Sequence, residues 1–168
     1  MKYIKTAMLV FIGIMIIIQF IPAGKKNIST TTSVYSLEKT MNVPEEILGN
    51  LKNGCYDCHS NNTKYPWYSN IQPVTWWLNS HIEEGKEHLN FDEFGNLDTE
   101  SRAEMMEEMA EVIEEHEMPM ASYTWLHPEA RFNDNMNNAI VTWLKSQSDN
   151  AVDKQNGEKT KSNESEYE

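Results

Sequence analysis

The chain's two cysteines stand in the run Cys55-Tyr56-Asp57-Cys58-His59, with a histidine directly after the second. A disulfide between them would close a very small loop and staple little of the chain. A redox pair of the thioredoxin kind needs a βαβ context, and the sequence offers no strand pattern around the motif. A structural zinc ion usually takes four ligands; this run supplies three at most, and adjacent residues rarely both reach one ion. Haem attachment uses all three side chains at once. Two thiols three residues apart can add to the two vinyl groups of a porphyrin as thioethers, and the next residue presents its imidazole to the iron. The run is therefore read as the site of one covalent haem c, with Cys55 and Cys58 as thioether sites and His59 as an iron ligand.

Such an iron usually takes a second axial ligand, and methionine is the commonest where electron transfer is the task. Met118 is the leading candidate, because it comes after a helix and precedes Pro119, on a loop where its side chain can be aimed. Met120 is its rival, a histidine ligand is a further alternative, and an open sixth position is the last. His81 reads as a hydrogen-bonded core histidine, and His116 as packing near the haem edge. His88 and His127 read as loop residues, His127 orienting the turn at Pro128. Of the aromatic set Tyr65, Trp67, Tyr68, Trp76, Trp77, Trp125 and Trp143, most read as core, with some walling the flat apolar cofactor.

The elements that must hold these residues read as helices. Pro44, Glu45 and Glu46 suit a helix start, Ile47, Leu48 and Leu51 form its apolar stripe, and Gly54 suits its end. Residues 73–85 form the next helix, with Val74, Trp77, Leu78, His81 and Ile82 on one face and a stop at Gly85. A third helix is capped by Asp98 or Thr99 and buries Met105, Met109, Val112, Ile113 and His116; Pro119 ends it. The last is capped by Asn133 and turns Met136, Ile140, Trp143 and Leu144 inward. The stretches between read as loop. No run alternates with period two for long enough to be a strand, so the fold is expected to be all-α.

The ends differ from the middle. Residues 1–26 read as a signal or anchor segment: Lys2 and Lys5 precede an apolar run over residues 7–21, and an uncleaved membrane anchor is expected there. Residues 27–42 read as a polar tether and residues 146–168 as a disordered acidic tail. The haem-binding domain would then be residues 43–145. A formal net charge of −12 makes nucleic acid an unsuitable partner. It favours basic docking partners without naming any.

The elements Cys-x-x-Cys-His-Ser from Cys55, Tyr65-Pro66-Trp67, Trp77-Leu78 with His81, Gly85 with Leu89-Asn90-Phe91, Met118-Pro119 and His127-Pro128-Glu129-Ala130 occur in one order. In them the chain resembles the haem-binding domain family of small exported bacterial proteins, from about Val43 to Leu144. The resemblance implies a cytochrome c-like helical domain around one covalent haem, with Cys55 and Cys58 as thioether sites, His59 as proximal ligand and Met118 as the methionine of Met-Pro. The expected function is single-electron transfer by a monohaem cytochrome between redox partner proteins, on the periplasmic side of the inner membrane. The competing readings are a peroxidase-type haem enzyme or subunit, with His81 or His116 as acid–base group, and a gas-sensing haem module. Both need a labile or open sixth position.

Overall fold

The structure, a computed structural model, describes residues 2–31 and 33–165. Among these residues the α-helices are α1 (Lys2–Ile18), α2 (Leu37–Thr40), α3 (Glu45–Gly54), α4 (Tyr56–His59), α5 (Val74–His88), α6 (Thr99–Glu114), α7 (Ala121–Leu126) and α8 (Asp134–Ser165). Short 3-10 turns lie at Trp67–Asn70, Phe94–Asn96 and Pro128–Ala130. No strand occurs among the described residues, only an isolated bridge between Ile28 and Asn62. The fold is all-α, as the periodicity requires.

The core is built on the pairing of α6 with α8. Asn137 Nδ2 lies on the Ile113 carbonyl at 3.4 Å, and Ser148 Oγ donates to the Ala103 carbonyl at 3.1 Å, so the two helices run antiparallel. Ala103, Met106, Ala110 and Ile113 are buried on α6, and Ile140, Val141, Trp143 and Leu144 on α8. All of these but Ala103 form one cluster with Leu37, Ile47, Leu51, Phe91 and Phe94. The caps are those the sequence indicates. Asp98 accepts from the Ser101 amide at 2.9 Å, and Asn133 from the Met136 amide at 3.0 Å.

Several expectations need correction. Residues 27–42 are no free tether. Asn27 donates through Nδ2 to the Ser60 carbonyl at 2.7 Å and to Thr63 Oγ1 at 2.9 Å, and its Oδ1 accepts from Lys86 Nζ at 2.9 Å. Ser36 and Leu37 are buried, and the Leu37 amide donates to the Phe91 carbonyl at 2.7 Å. A polar composition hid this segment because, apart from Leu37 in the core, its attachment is mostly by hydrogen bonds. The last helix runs through Ser165, and Ser148, buried against α6, carries its docking one turn past residue 145. Residues 166–168 lie outside the described residues.

The expected membrane-spanning anchor coincides with α1, which falls short of a crossing. α1 has 17 residues and is about 26 Å long at 1.5 Å per residue, whereas a crossing takes roughly 20 apolar residues. Among the described residues no helix is long and apolar enough to cross a membrane. The helix ends where Gln19 turns to the domain. Its Nε2 donates to the Gln72 carbonyl at 3.0 Å and its Oε1 accepts from the Gln72 amide at 3.0 Å.

Phe91 is the test of this packing. It is fully buried, its ring stacks on Tyr56 with centroids 4.7 Å apart, and its amide donates to the His59 carbonyl at 2.7 Å. Phe91→Ala is expected to lower unfolding free energy by about 3–5 kcal/mol in urea titrations monitored by far-ultraviolet circular dichroism. A loss below about 1 kcal/mol would show that the cluster does not depend on this ring.

Candidate functional site

Chain geometry at the motif arises from a break and a single turn. α3 closes at Gly54, and Cys55, at φ −126° and ψ −39°, interrupts the helix before α4 begins. The Cys58 and His59 amides then donate to the Cys55 carbonyl at 3.1 and 2.9 Å. Residues spaced i, i+3 and i+4 on such a turn share one face. Cys55, Cys58 and His59 accordingly line one cavity of about 500 Å³. Both cysteines are free. Among the described residues no group of three or more His, Cys, Asp or Glu side chains is arranged to hold a metal ion, so the zinc alternative has no geometry to rest on.

His59 is held by the backbone just beyond α5. Its Nδ1 lies 3.0 Å from the Leu89 carbonyl oxygen, which can only accept, so the proton is on Nδ1 and the lone pair on Nε2. Burial lowers the basicity of the ring, against the raising effect of the Leu89 and Gly85 carbonyls, while His88 lowers it further. The result is a neutral imidazole with one nitrogen committed and the other available as a ligand. α5 can come this close because residue 85 is glycine. A Cβ there would stand 3.2 Å from the Cys58 carbonyl oxygen and 3.4 Å from Cys58 Cβ. The expected stop at Gly85 is therefore wrong: α5 runs on to His88, and the glycine serves contact.

The opposite wall comes from α6 and the chain after it. Met105, Met109 and Val112 face the cavity, while Ala103, Met106 and Ala110 are buried on α6. The Met118 amide donates to the Val112 carbonyl at 3.0 Å, folding the loop back over the helix end, and Met118 and Met120 both line the cavity. His116 takes a left-handed φ of 59° in this reversal, and Asn137 Nδ2 lies 2.8 Å from its Nδ1. It is exposed and does not line the cavity, so the expected place at a cofactor edge is corrected.

The other histidines sort differently from expectation as well. His81 does line the cavity, with Nδ1 donating to the Trp77 carbonyl at 2.9 Å and its ring over Trp77, so it is no core residue. Only Ile82 of the expected α5 face is fully buried; the stripe carrying Trp77, His81, Glu84 and His88 turns toward the cavity and solvent. His127 bonds Tyr68 Oη through Nε2 at 2.6 Å and Glu129 through Nδ1 at 3.1 Å, away from the cavity. Of the aromatic set, only Trp143 is buried, while Trp67, Trp77 and Trp125 are exposed. The aromatic rings that do wall the cavity are Phe91 and Tyr123.

Asp57 escaped the sequence reading. It lies between the two cysteines, accepts from Tyr123 Oη at 2.8 Å and from the Lys64 amide at 3.1 Å, and lines the cavity with Glu84 and Glu108. No lysine or arginine is among the described residues that line it.

The pattern defining the Haem-binding domain family matches residues 13–146 of this sequence. The chain belongs to the haem-binding domain family. No curated protein and no solved structure matches the chain. The residues present fit the family's cofactor. An apolar cleft of this size, two unpaired thiols on its wall and an imidazole with a free Nε2 are what a haem would need for seat, tether and ligand. In the haem-binding domain, Cys55, Cys58 and His59 would hold the group from one side, with Met118 or Met120 available from the other.

Two predictions concern the protein without cofactor. Burial, with Cys58 adding to it, pushes the Cys55 thiol from 9.0 up to about 12, and burial with Asp57 pushes Cys58 to about 11. Only the thiolate reacts, so iodoacetamide at pH 8 is expected to modify the native chain far more slowly than the urea-unfolded chain, and Cys58 before Cys55. The folded state keeps protons that the unfolded state releases above about pH 9, so stability falls as pH rises beyond that point. A urea midpoint unchanged between pH 7 and 10 would contradict the burial of both thiols. Separately, Gly85→Ala crowds the Cys58 backbone, which must give by a few tenths of an ångström, and haem retained after reconstitution should drop while circular dichroism changes little.

Proposed function

We propose that this haem-binding domain carries one haem covalently through Cys55 and Cys58, with His59 and Met118 as iron ligands. We further propose that it passes single electrons between partner proteins. The observation that carries the reading is the convergence on one cavity of two free thiols, an imidazole held by Leu89 at Nδ1, and the Met118 loop. A haem supplies an iron that gains or loses one electron without a change of ligands.

The chain's own residues supply the setting. The carbonyl of Leu89 fixes ring orientation and tautomer of His59, so that its nitrogen lone pair is presented without a proton having to leave. Met105, Met109, Val112, Ile113 and Phe91 keep water from that side of the cleft and pack against a rigid helical pair. A fixed, dry surround limits the rearrangement that accompanies a change of charge. Thioether formation of this kind takes place outside the cytoplasm, so the proposal includes export, with the periplasm as the place of work. This domain would then be a cytochrome c-like carrier.

A second reading, a haem enzyme or gas-binding module, draws on His81 and His88, which line the same cavity. Either could act as a proton donor above a labile sixth position.

Optical spectroscopy separates these readings. The pyridine haemochrome of purified protein should be of the thioether type and survive acid–organic extraction; a spectrum of free haem would sink the attachment. The ferric protein should show the near-infrared band of methionine-ligated iron, and Met118→Ala should abolish it while leaving the haemochrome intact. Rapid binding of carbon monoxide by the unmodified ferrous protein would favour the second reading.

A further inference from the structure

α7 closes the cavity from the Met118 side, yet it contributes no buried residue. Trp125 and Leu126 on it are 77% and 51% exposed. A helix of one and a half turns without a buried face has little packing to keep it in place. What positions it must therefore be the few side chains that bond outward from it.

Those bonds are unequal in reach. At the start of the segment, Pro119 packs against the Cα of Gly54, where a Cβ would come within 3.0 Å of its ring. At the end, His127 caps α7 and bonds Tyr68 Oη at 2.6 Å, and Arg131 Nε donates to the Thr124 carbonyl at 2.9 Å. In between, Tyr123 donates its hydroxyl to Asp57 Oδ2 at 2.8 Å, with its ring stacked on His127 at 4.3 Å. Asp57 is itself fixed. Its Oδ1 accepts from the Lys64 amide at 3.1 Å and its carbonyl from Thr63 Oγ1 at 2.6 Å. Tyr123 thus joins the loop that carries Met118 and Met120 to the middle of the cysteine motif, by a bond to a carboxylate, the stronger class of hydrogen bond.

We propose that Tyr123 is a positioning residue, whose bond to Asp57 latches α7 and the Met118–Met120 loop over the cavity and so governs access to its open side. The latch rests on the proposed haem reading only where access is read at the iron; the bond itself acts on the chain whichever methionine is the ligand. Because Pro119 and the Tyr68–His127 pair remain, losing the latch loosens α7 without releasing it. A bond to a charged group is strong enough to make that loosening at least roughly tenfold.

The test uses the full chain with its haem. In Tyr123→Phe, which keeps the ring on His127, amide hydrogen exchange over residues 120–127 should rise at least tenfold, with exchange in α6 and α8 unchanged. Carbon monoxide should bind the ferrous protein correspondingly faster. Asp57→Ala should reproduce both effects, the double variant should add nothing, and Asp57→Asn, which retains an acceptor oxygen, should restore part of the protection. Unchanged exchange over residues 120–127 overturns the proposal, as does a rise spread equally over α6 and α8. If wild-type protein lacks the methionine band while Tyr123→Phe still speeds local exchange, the latch stands and Met118 ligation falls.

Discussion

The hydrogen bond between His59 Nδ1 and the Leu89 carbonyl is the constraint on which the rest of the site depends. It sets which nitrogen of the ring is free, and it can form only because the backbone leaving α5 lies extended beside the ring at Leu89. Two residues on, the Phe91 amide binds the His59 carbonyl and the Phe91 carbonyl receives the Leu37 amide. A single three-residue segment therefore ties the cysteine turn, α5 and α2 to one another. Loosening it would free the imidazole and open the core at the same point.

The second constraint is on α6, which serves two masters. One of its faces is the dry seam with α8, built of Ala103, Met106 and Ala110; the other is the cavity wall, built of Met105, Met109 and Val112. Small residues on the first face let the helices approach, while flexible methionines on the second can settle against a flat ligand. Protein interiors are close-packed, so a ligand seated in a cleft of this volume would add packing contacts to those the chain makes with itself. Anything that binds only the folded form adds to its stability in proportion to its affinity and concentration.

The sequence was most informative where chemistry and helix periodicity coincide. Cys55, Cys58 and His59 sit on one face because their spacing is that of a helical turn, and the caps at Asp98 and Asn133 are made by their own side chains. What escaped was whatever depends on a distant partner. Periodicity marked one apolar stripe on α6 but could not show that two faces were in use, so Met106 and Ala110 went unremarked. Gly85 looked like a terminator because the neighbour that requires it, Cys58, is 27 positions away in the sequence. Asp57 and Tyr123 carry no motif of their own, and only the fold brings them to 2.8 Å. The polar residues 27–42 looked like linker since most of their attachment is by hydrogen bonds, with Leu37 the one buried apolar side chain among them. Trp67, Trp77 and Trp125 misled in the opposite direction, being apolar and yet at the surface.

Asp57, Glu84 and Glu108 give the cavity lining a single sign of charge. Their field reaches beyond the rim by about a Debye length, roughly 8 Å at physiological ionic strength. A field of that sign sorts by charge alone: it favours cations over anions near the rim and leaves small neutral molecules unaffected. Added salt flattens that sorting while leaving the cleft's shape untouched. The mouth of the site thus acts as a filter whose setting belongs to the surrounding solution as much as to the chain.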